Sequence, residues 1–207
     1  MKHLLICVSA LAMASPALGE TVIMTFDEVA GDYTDFDDTI GDSTNVDVTN
    51  DTVAGFGNTA VTVSNVDHWT NNYSELTDVA FAATNGQVGQ FSFAIDAGYE
   101  LTFDSFDFGN YSGGVTARDA SFRIYDGAWG LVWQSDVTGH TGASVNMTPG
   151  VTLSGAAYFQ WGTDWNIGID NFTYSVAEIA PAVPLPAGLP LLLTGLVGFG
   201  ALRRRKG

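Results

Sequence analysis

Hydrophobic and polar residues alternate along most of the chain between residues 59 and 174. An apolar side chain at every second position gives a short segment one hydrophobic face, which predicts β-strands rather than helices. The pattern is clearest in the following segments: 59–63, 91–95, 101–103, 121–124, 158–161 and 167–169.

Turn-forming residues separate these segments. Glycine reaches positive φ and proline presets φ, so each combination marks a change of chain direction. The turn sequences are Asn85-Gly86, Asp96-Ala97-Gly98, Ser112-Gly113-Gly114, Asp126-Gly127 and Pro149-Gly150. Turn signals separated by roughly 8 to 12 residues predict an all-β fold, an antiparallel β-sandwich of the jelly-roll type, for residues 20–180.

Two strands change the phase of their alternation. Phe103 and Phe106 fall out of step across Asp104-Ser105, and Ile169 and Phe172 do so across Asp170-Asn171. One extra residue restores the phase of a strand, so the sequence predicts a β-bulge at each position.

The charge distribution is strongly asymmetric. Residues 20–180 hold all 23 acidic residues but only two basic ones, Arg118 and Arg123, which gives this part a formal charge of −21. A phosphate polymer is bound by lysine and arginine, so nucleic acid is excluded as its partner. The acidic balance favours divalent cations, basic partners and neutral or cationic glycans.

The N-terminus has the features of a secretory signal. Lys2 precedes an apolar stretch at 4–14, and Ala17-Leu18-Gly19 forms a small-x-small cleavage site. We therefore predict that residues 1–19 are a signal peptide, used by the Sec translocon and signal peptidase, and that the mature chain starts at Glu20. Cys7 is the only cysteine, so the mature protein is predicted to have no disulfide.

The C-terminus has a different apolar segment. Residues 183–202 carry no charge and are followed by four cations, Arg203, Arg204, Arg205 and Lys206. About 20 apolar residues span the roughly 30 Å hydrocarbon core as a helix. Cations beside such a helix stay on the cytoplasmic side, which predicts a single transmembrane helix with everything before it exported.

This C-terminus resembles the VPLPA variant of the PEP-CTERM sorting signal over residues 181–207. Residues 188–202 match its membrane span, residues 203–207 its basic tail, and the recognition motif is Val183, Pro184, Leu185, Pro186 and Ala187. The resemblance implies processing by an exosortase-type membrane protease in a Gram-negative bacterium that makes exopolysaccharide. The protein would pass through an inner-membrane intermediate to the cell surface or extracellular matrix. The alternative is a plain single-span anchor with a proline-rich linker.

Acidic residues concentrate near the start of the mature chain. The stretch 27–51 holds nine acids and no base, which is compatible with a Ca²⁺ site or with a solvated acidic loop. Separately, residues 169–174 resemble the last strand of galactose-binding-like and carbohydrate-binding jelly rolls. That resemblance implies one structural Ca²⁺, held by Asp27 or Glu28 together with Asp170.

Five tryptophans offer candidates for stacking on sugar rings. Trp133 and Trp161 lie in alternating runs, which indicates core positions. Trp69, Trp129 and Trp165 flank asparagine and glycine turns, and they are the candidates for glycan binding.

Motifs for catalysis are missing from the sequence. It contains neither Gly-x-Ser-x-Gly nor His-Glu-x-x-His. The sequence therefore favours a non-enzymatic exported protein sorted by its C-terminal signal. The first alternative is a Ca²⁺-assisted carbohydrate-binding module of the exopolysaccharide matrix, and the second is a secreted hydrolase.

Overall fold

The computed structural model describes residues 19–180, which form fourteen β-strands in two antiparallel sheets. Within this range there is no helix, and so none that is long and apolar enough to span a membrane. The predicted signal peptide up to residue 18, the sorting motif, the transmembrane helix and the basic tail lie outside the described residues.

The first sheet has eight strands and includes both ends of the domain. They are β1 (Glu20–Met24), β2 (Thr34–Asp35), β5 (Asp67–Trp69), β6 (Val79–Phe81), β8 (Tyr99–Asn110), β11 (Val145–Met147), β12 (Val151–Leu153) and β14 (Ile167–Glu178). Their order is β11-β8-β14-β6-β5-β2, with β1 paired to β14 and β12 paired to β8.

The second sheet has six strands. They are β3 (Val46–Val53), β4 (Val61–Val63), β7 (Val88–Ile95), β9 (Arg118–Asp126), β10 (Leu131–His140) and β13 (Ala156–Gly162). Their order is β10-β9-β13-β7-β3-β4. The predicted all-β, two-sheet antiparallel architecture is confirmed, because each segment of alternating residues overlaps a strand and each predicted turn lies between strands.

Both predicted bulges are confirmed in the long β8–β14 pair. Asp170 lies opposite Asp107 and Thr173 opposite Ser105, so β14 has an extra residue between these pairs. Tyr174 then lies opposite Phe103, which leaves Asp104 as the extra residue of β8. Asn171 reaches the left-handed region at φ 50° to make the first bulge, a conformation that asparagine tolerates better than most residues.

The first bulge turns Phe172 into the space between the sheets. Its ring centroid lies 4.8 Å from that of Phe159 in β13 and 5.6 Å from that of Phe91 in β7. It also packs against Phe103 and Phe106 of β8, with centroids 6.2 Å away in both cases. Phe172 is buried and joins the two sheets at the centre of the core.

We expect Phe172→Ala to lower the free energy of unfolding by about 3 to 5 kcal/mol, because it leaves a cavity in contact with both sheets. Urea denaturation of the full chain measures this loss. Val115→Ala, at a position that is 82% exposed, is the control and should change the stability little. Equal effects of the two variants would contradict the central role of Phe172.

Candidate functional site

The most distinctive concave surface is an aromatic pocket of about 150 Å³. Its lining is almost entirely aromatic: Tyr33, Trp69, Tyr73, Phe81, Ala83, Tyr111 and Trp165. Pockets of this character, with a few polar groups at the edge, are typical of sites for small organic ligands.

The pocket lies on the outer face of the eight-stranded sheet, not between the two sheets. Ala80 of β6 and Ile169 of β14 belong to the core between the sheets. Phe81, the residue after Ala80, belongs to a second, smaller cluster. Successive side chains of a strand point to opposite faces, so this second cluster covers the outer face. Tyr73 and Phe81 are buried in it and form the floor of the pocket.

A pair of glycines lets the chain approach this outer face. Gly109 of β8 and Gly168 of β14 lie directly opposite each other. A Cβ atom on Gly168 would come within 2.7 Å of Tyr73 Cδ1, and one on Gly109 would collide with the Tyr73 carbonyl oxygen. Only glycine at both positions allows the loop that carries Tyr73 to lie flat against the sheet.

The walls form a continuous series of edge-to-face aromatic contacts. Ring centroids are 4.9 Å apart for Tyr33 and Trp69, 5.8 Å for Trp69 and Tyr111, and 4.9 Å for Tyr111 and Trp165. Each pair meets at a steep angle between 63° and 84°, the arrangement that aromatic quadrupoles favour. Tyr33 is 70% exposed and marks the open side of the pocket.

Hydrogen bonds hold the loops of the pocket together. Tyr73 Oη donates to the Trp165 carbonyl oxygen at 2.5 Å. The Asp32 carboxylate accepts from both the backbone nitrogen and the hydroxyl of Thr70, each at 2.8 Å, which ties the loop of Tyr33 to the strand of Trp69. Asp164 accepts from the Trp165 backbone nitrogen at 2.7 Å. The aromatic walls are therefore fixed before any ligand arrives.

The structure brings together two of the three tryptophans predicted for glycan binding. Trp69 and Trp165 both line the pocket. Trp129 lies elsewhere, at the β9–β10 turn of the other sheet, with its ring stacked on that of Tyr158 at 3.9 Å and 9°. Trp161 is buried as predicted, and Trp133 is half-buried against the core.

Sequence reasoning missed four aromatic residues of the pocket: Tyr33, Tyr73, Phe81 and Tyr111. The available signal was indirect. Gly168 occupies the outward-facing position between Ile167 and Ile169 in β14, and a glycine inside a strand often marks a close approach by another segment.

The three acids predicted to bind calcium are not assembled into a ligand set. Asp27 and Glu28 are exposed in the turn after β1, whereas Asp170 is buried at the bulge. Asp170 Oδ1 accepts from the Asn171 backbone nitrogen at 2.6 Å. Residues 19–180 contain no group of three histidine, cysteine or acidic side chains arranged to hold a metal ion. Calcium binding stays a prediction from the sequence.

Acids of the 27–51 stretch have local structural partners. Asp37 Oδ1 accepts from the Thr39 backbone nitrogen at 2.9 Å, and Asp42 Oδ1 accepts from the Val48 backbone nitrogen at 2.7 Å. Carboxylates that accept backbone N–H groups stabilise turns. These bonds give the acids a role in the fold that requires no cation.

Two carboxyl groups are held in environments that favour their neutral form. Burial raises the pKa of Asp170 to about 7, and the negative charges of Asp27 and Asp107 act in the same direction. Burial also raises the pKa of Asp67 to about 6, together with a hydrogen bond to its neighbour Asp35. Neither Asp35 nor Asp67 lines the aromatic pocket.

No protein-family model and no curated protein matches the chain. Several solved structures match with low scores. A Ruminococcus gnavus GH29 fucosidase in complex with fucose is 12% identical over 66% of this chain and 26% of its own, with a TM-score of 0.34. A Podospora anserina GH26-CBM35 β-(1,4)-mannanase is 16% identical over 69% of this chain and 29% of its own, with a TM-score of 0.35.

Another match covers the whole length of a solved domain. The CBM22-1 xylan-binding domain of Paenibacillus barcinonensis Xyn10C is 13% identical over 82% of this chain and 100% of its own, with a TM-score of 0.33. The chain thus spans about a quarter of the two enzymes and the whole length of this domain. Scores at this level support no conclusion about the ligand, which has to come from the pocket itself.

We expect the full chain to be more stable to unfolding near pH 5 than near pH 8. The folded state holds protons on Asp170 and Asp67 up to about pH 7 and 6, whereas the unfolded chain releases them near 3.8. Because the native state binds more protons in this window, the free energy of unfolding falls as the pH rises through it. Thermal unfolding followed by circular dichroism at each pH measures the trend.

Asp170→Asn separates the effect of the buried carboxyl group on stability from the effect of the protein's overall negative charge. This variant should raise the melting temperature at pH 8 and reduce its dependence on pH. Asp47→Asn removes the same charge from an exposed position of β3 and serves as the matched control. If both variants change the pH profile equally, overall charge rather than the buried carboxyl determines the trend.

Proposed function

We propose that residues 20–180 form a carbohydrate-binding domain and that the aromatic pocket is its binding site. The observation that carries the proposal is the continuous aromatic wall from Tyr33 to Trp165 around a concave floor. This part of the chain is a β-sandwich, for which we propose the jelly-roll type.

The chemistry of a sugar fits such a wall. One face of a pyranose ring presents mainly C–H groups, which gain dispersion energy and leave water when they pack on an aromatic ring. The same ring carries hydroxyl groups around its edge. The phenol groups of Tyr33 and Tyr111 lie among the residues that line the pocket and can exchange hydrogen bonds with those hydroxyls.

Charge limits the kind of sugar. The domain has a formal charge of −21, and the Asp32 and Asp164 carboxylates fix the loops that carry Tyr33 and Trp165. A polysaccharide of uronic acids would be repelled, whereas neutral sugars and sugars with free amino groups would not. We therefore propose a neutral or cationic polysaccharide, such as an exopolysaccharide of the surrounding matrix.

The proposal is one of binding without catalysis. A glycosidase needs two carboxyl groups beside the bond that is cut. Asp67 and Asp170 have the raised pKa of a candidate acid, but neither of them lines the aromatic pocket. This arrangement favours a binding module over the secreted hydrolase.

We further propose that the C-terminal segment directs this module to the cell surface or matrix. The support is the order of the VPLPA motif at 183–187, the uncharged span and the cations at 203–206. Processing by an exosortase-type protease would release the domain from its inner-membrane intermediate beside the polysaccharide that it binds.

Substitution of the pocket tryptophans tests the binding site. We expect Trp69→Ala and Trp165→Ala to weaken binding to glycans identified on an array by roughly tenfold or more, because removing a central aromatic side chain costs about 2 kcal/mol or more. Trp129→Ala is a control of the same residue type outside the pocket and should bind normally. Isothermal titration calorimetry gives the affinities, and loss of binding in Trp129→Ala alone would refute the assignment.

The mass of the mature protein from a native host tests the sorting proposal. With the sorting enzyme present, we expect a species that begins at Glu20 and ends between Val183 and Ala187. Without the enzyme, the species should retain the residues up to Gly207. A protein that keeps Arg203 to Gly207 in both strains would instead be a simple membrane anchor.

A further inference from the structure

A second cavity lies at the same end of the sandwich as the aromatic pocket. It has a volume of about 320 Å³ and is lined by residues from the start of β9, the end of β10 and the loop that joins β13 to β14. Its lining is polar where the first pocket is aromatic, and it includes Arg118, Asp119, Asp164 and Asn166.

One loop separates the two cavities. Trp165 lines the aromatic pocket, while its neighbours Asp164 and Asn166 line the polar cavity. The backbone nitrogen of Tyr111 donates to the Asn166 carbonyl oxygen at 2.8 Å, which joins the wall of the first pocket to the edge of the second. The two cavities are therefore neighbours in the fold, divided by Trp165.

Polar atoms in the second cavity lack partners. Asn166 is only 5% exposed, and its Nδ2 donates to Asp164 Oδ2 at 2.6 Å. Its Oδ1 is buried and has no hydrogen-bond partner among residues 19–180. The Nε of Arg118 is also buried without a partner there. A buried polar group left unpaired costs free energy, so such groups point to a ligand or water that satisfies them.

Both acidic side chains of the polar cavity already accept hydrogen bonds from backbone nitrogens. Asp119 Oδ1 accepts from the Gly139 backbone nitrogen at 2.7 Å, and Asp164 accepts from the backbone nitrogens of Gly86 and Trp165. Arg118 forms no ion pair among the described residues, whereas Arg123, the other cation of this part, pairs with Asp136 at 2.7 Å. Arg118 disfavours a metal ion, and its guanidinium supplies hydrogen-bond donors to the cavity that Asn166 also lines.

Buried Asn110 holds this arrangement in place. Its Nδ2 donates to the Thr116 carbonyl oxygen at 2.6 Å and to the His140 carbonyl oxygen at 3.1 Å. These two bonds fix the segment before β9 against the end of β10, where Arg118 and His140 lie opposite each other. One side of the polar cavity is thus formed by the ends of two paired strands.

We propose that the polar cavity is a second sugar subsite, so that the domain binds an oligosaccharide of two or more units rather than a single terminal sugar. One unit packs in the aromatic pocket, and the next lies at Arg118 and Asn166, which exchange hydrogen bonds with its hydroxyl groups. This inference rests on the proposed carbohydrate-binding function and specifies the class of ligand.

The test measures affinity against ligand length for the full chain. The probes are cello-, xylo- and manno-oligosaccharides and oligomers of glucosamine, each from one to six units, with binding followed by calorimetry. We expect the affinity to rise at least tenfold between one and three units, roughly 1.4 kcal/mol. Arg118→Met should remove most of this gain and leave binding of the single sugar unchanged.

Two further variants separate the subsite from effects on folding. Ala117→Phe places a bulky side chain at an exposed position that lines the polar cavity, and it should remove the length dependence without deleting a polar group. Arg123→Met loses the same charge outside both cavities and should keep the length dependence. Melting temperatures show whether each variant is folded.

The outcomes distinguish the two proposals. Binding that does not depend on length, or that is weakened equally for one and three units by Arg118→Met, overturns the second subsite and leaves the aromatic site standing. If no sugar of any length binds, the carbohydrate-binding function itself fails, and the subsite fails with it.

Discussion

The structure depends on aromatic contacts between two sheets that no disulfide joins. The predicted mature chain has no cysteine, so noncovalent contacts must hold residues 20–180 together against their formal charge of −21. Phe172 meets rings from β7, β8 and β13, and it does so because the bulge at Asp170-Asn171 turns it inward. Without the bulge, the alternation of β14 would point this side chain away from the core. The bulge is thus a condition for the sandwich rather than a local irregularity.

The aromatic pocket lies on the outer face of the eight-stranded sheet. The inner face of β14 closes the core with Ile167 and Ile169, and Gly168 between them leaves room for Tyr73 on the outer face. The same strand therefore supports the core and the pocket. A substitution that shifts β14 would disturb both, which links the stability of the domain to the shape of its site.

The sequence predicted the elements of the fold better than the site. Alternation and turn residues are local, so six of the fourteen strands, the predicted turns and both bulges could be located from the chain alone. The pocket depends on which strands become neighbours and on a loop folding back over the sheet. Tyr33 and Tyr111 are 78 residues apart and meet on the two sides of Trp69. The calcium prediction also depends on long-range geometry. Pairing of β1 with β14 brings the two ends of the domain together, and an ion held by Asp27 or Glu28 with Asp170 stays a prediction.

The placement of the two arginines of the domain also affects how proteases can attack it. Trypsin-like proteases cut after lysine or arginine and need a segment that can leave its fold to enter the enzyme's cleft. Residues 20–180 contain no lysine, and both Arg118 and Arg123 lie in β9, which is hydrogen-bonded to β10 on one side and to β13 on the other. The folded domain, residues 20–180, therefore offers such proteases no lysine or arginine in a loop. The same scarcity of basic residues that gives the domain its formal charge of −21 therefore also makes its folded form resistant to this class of protease.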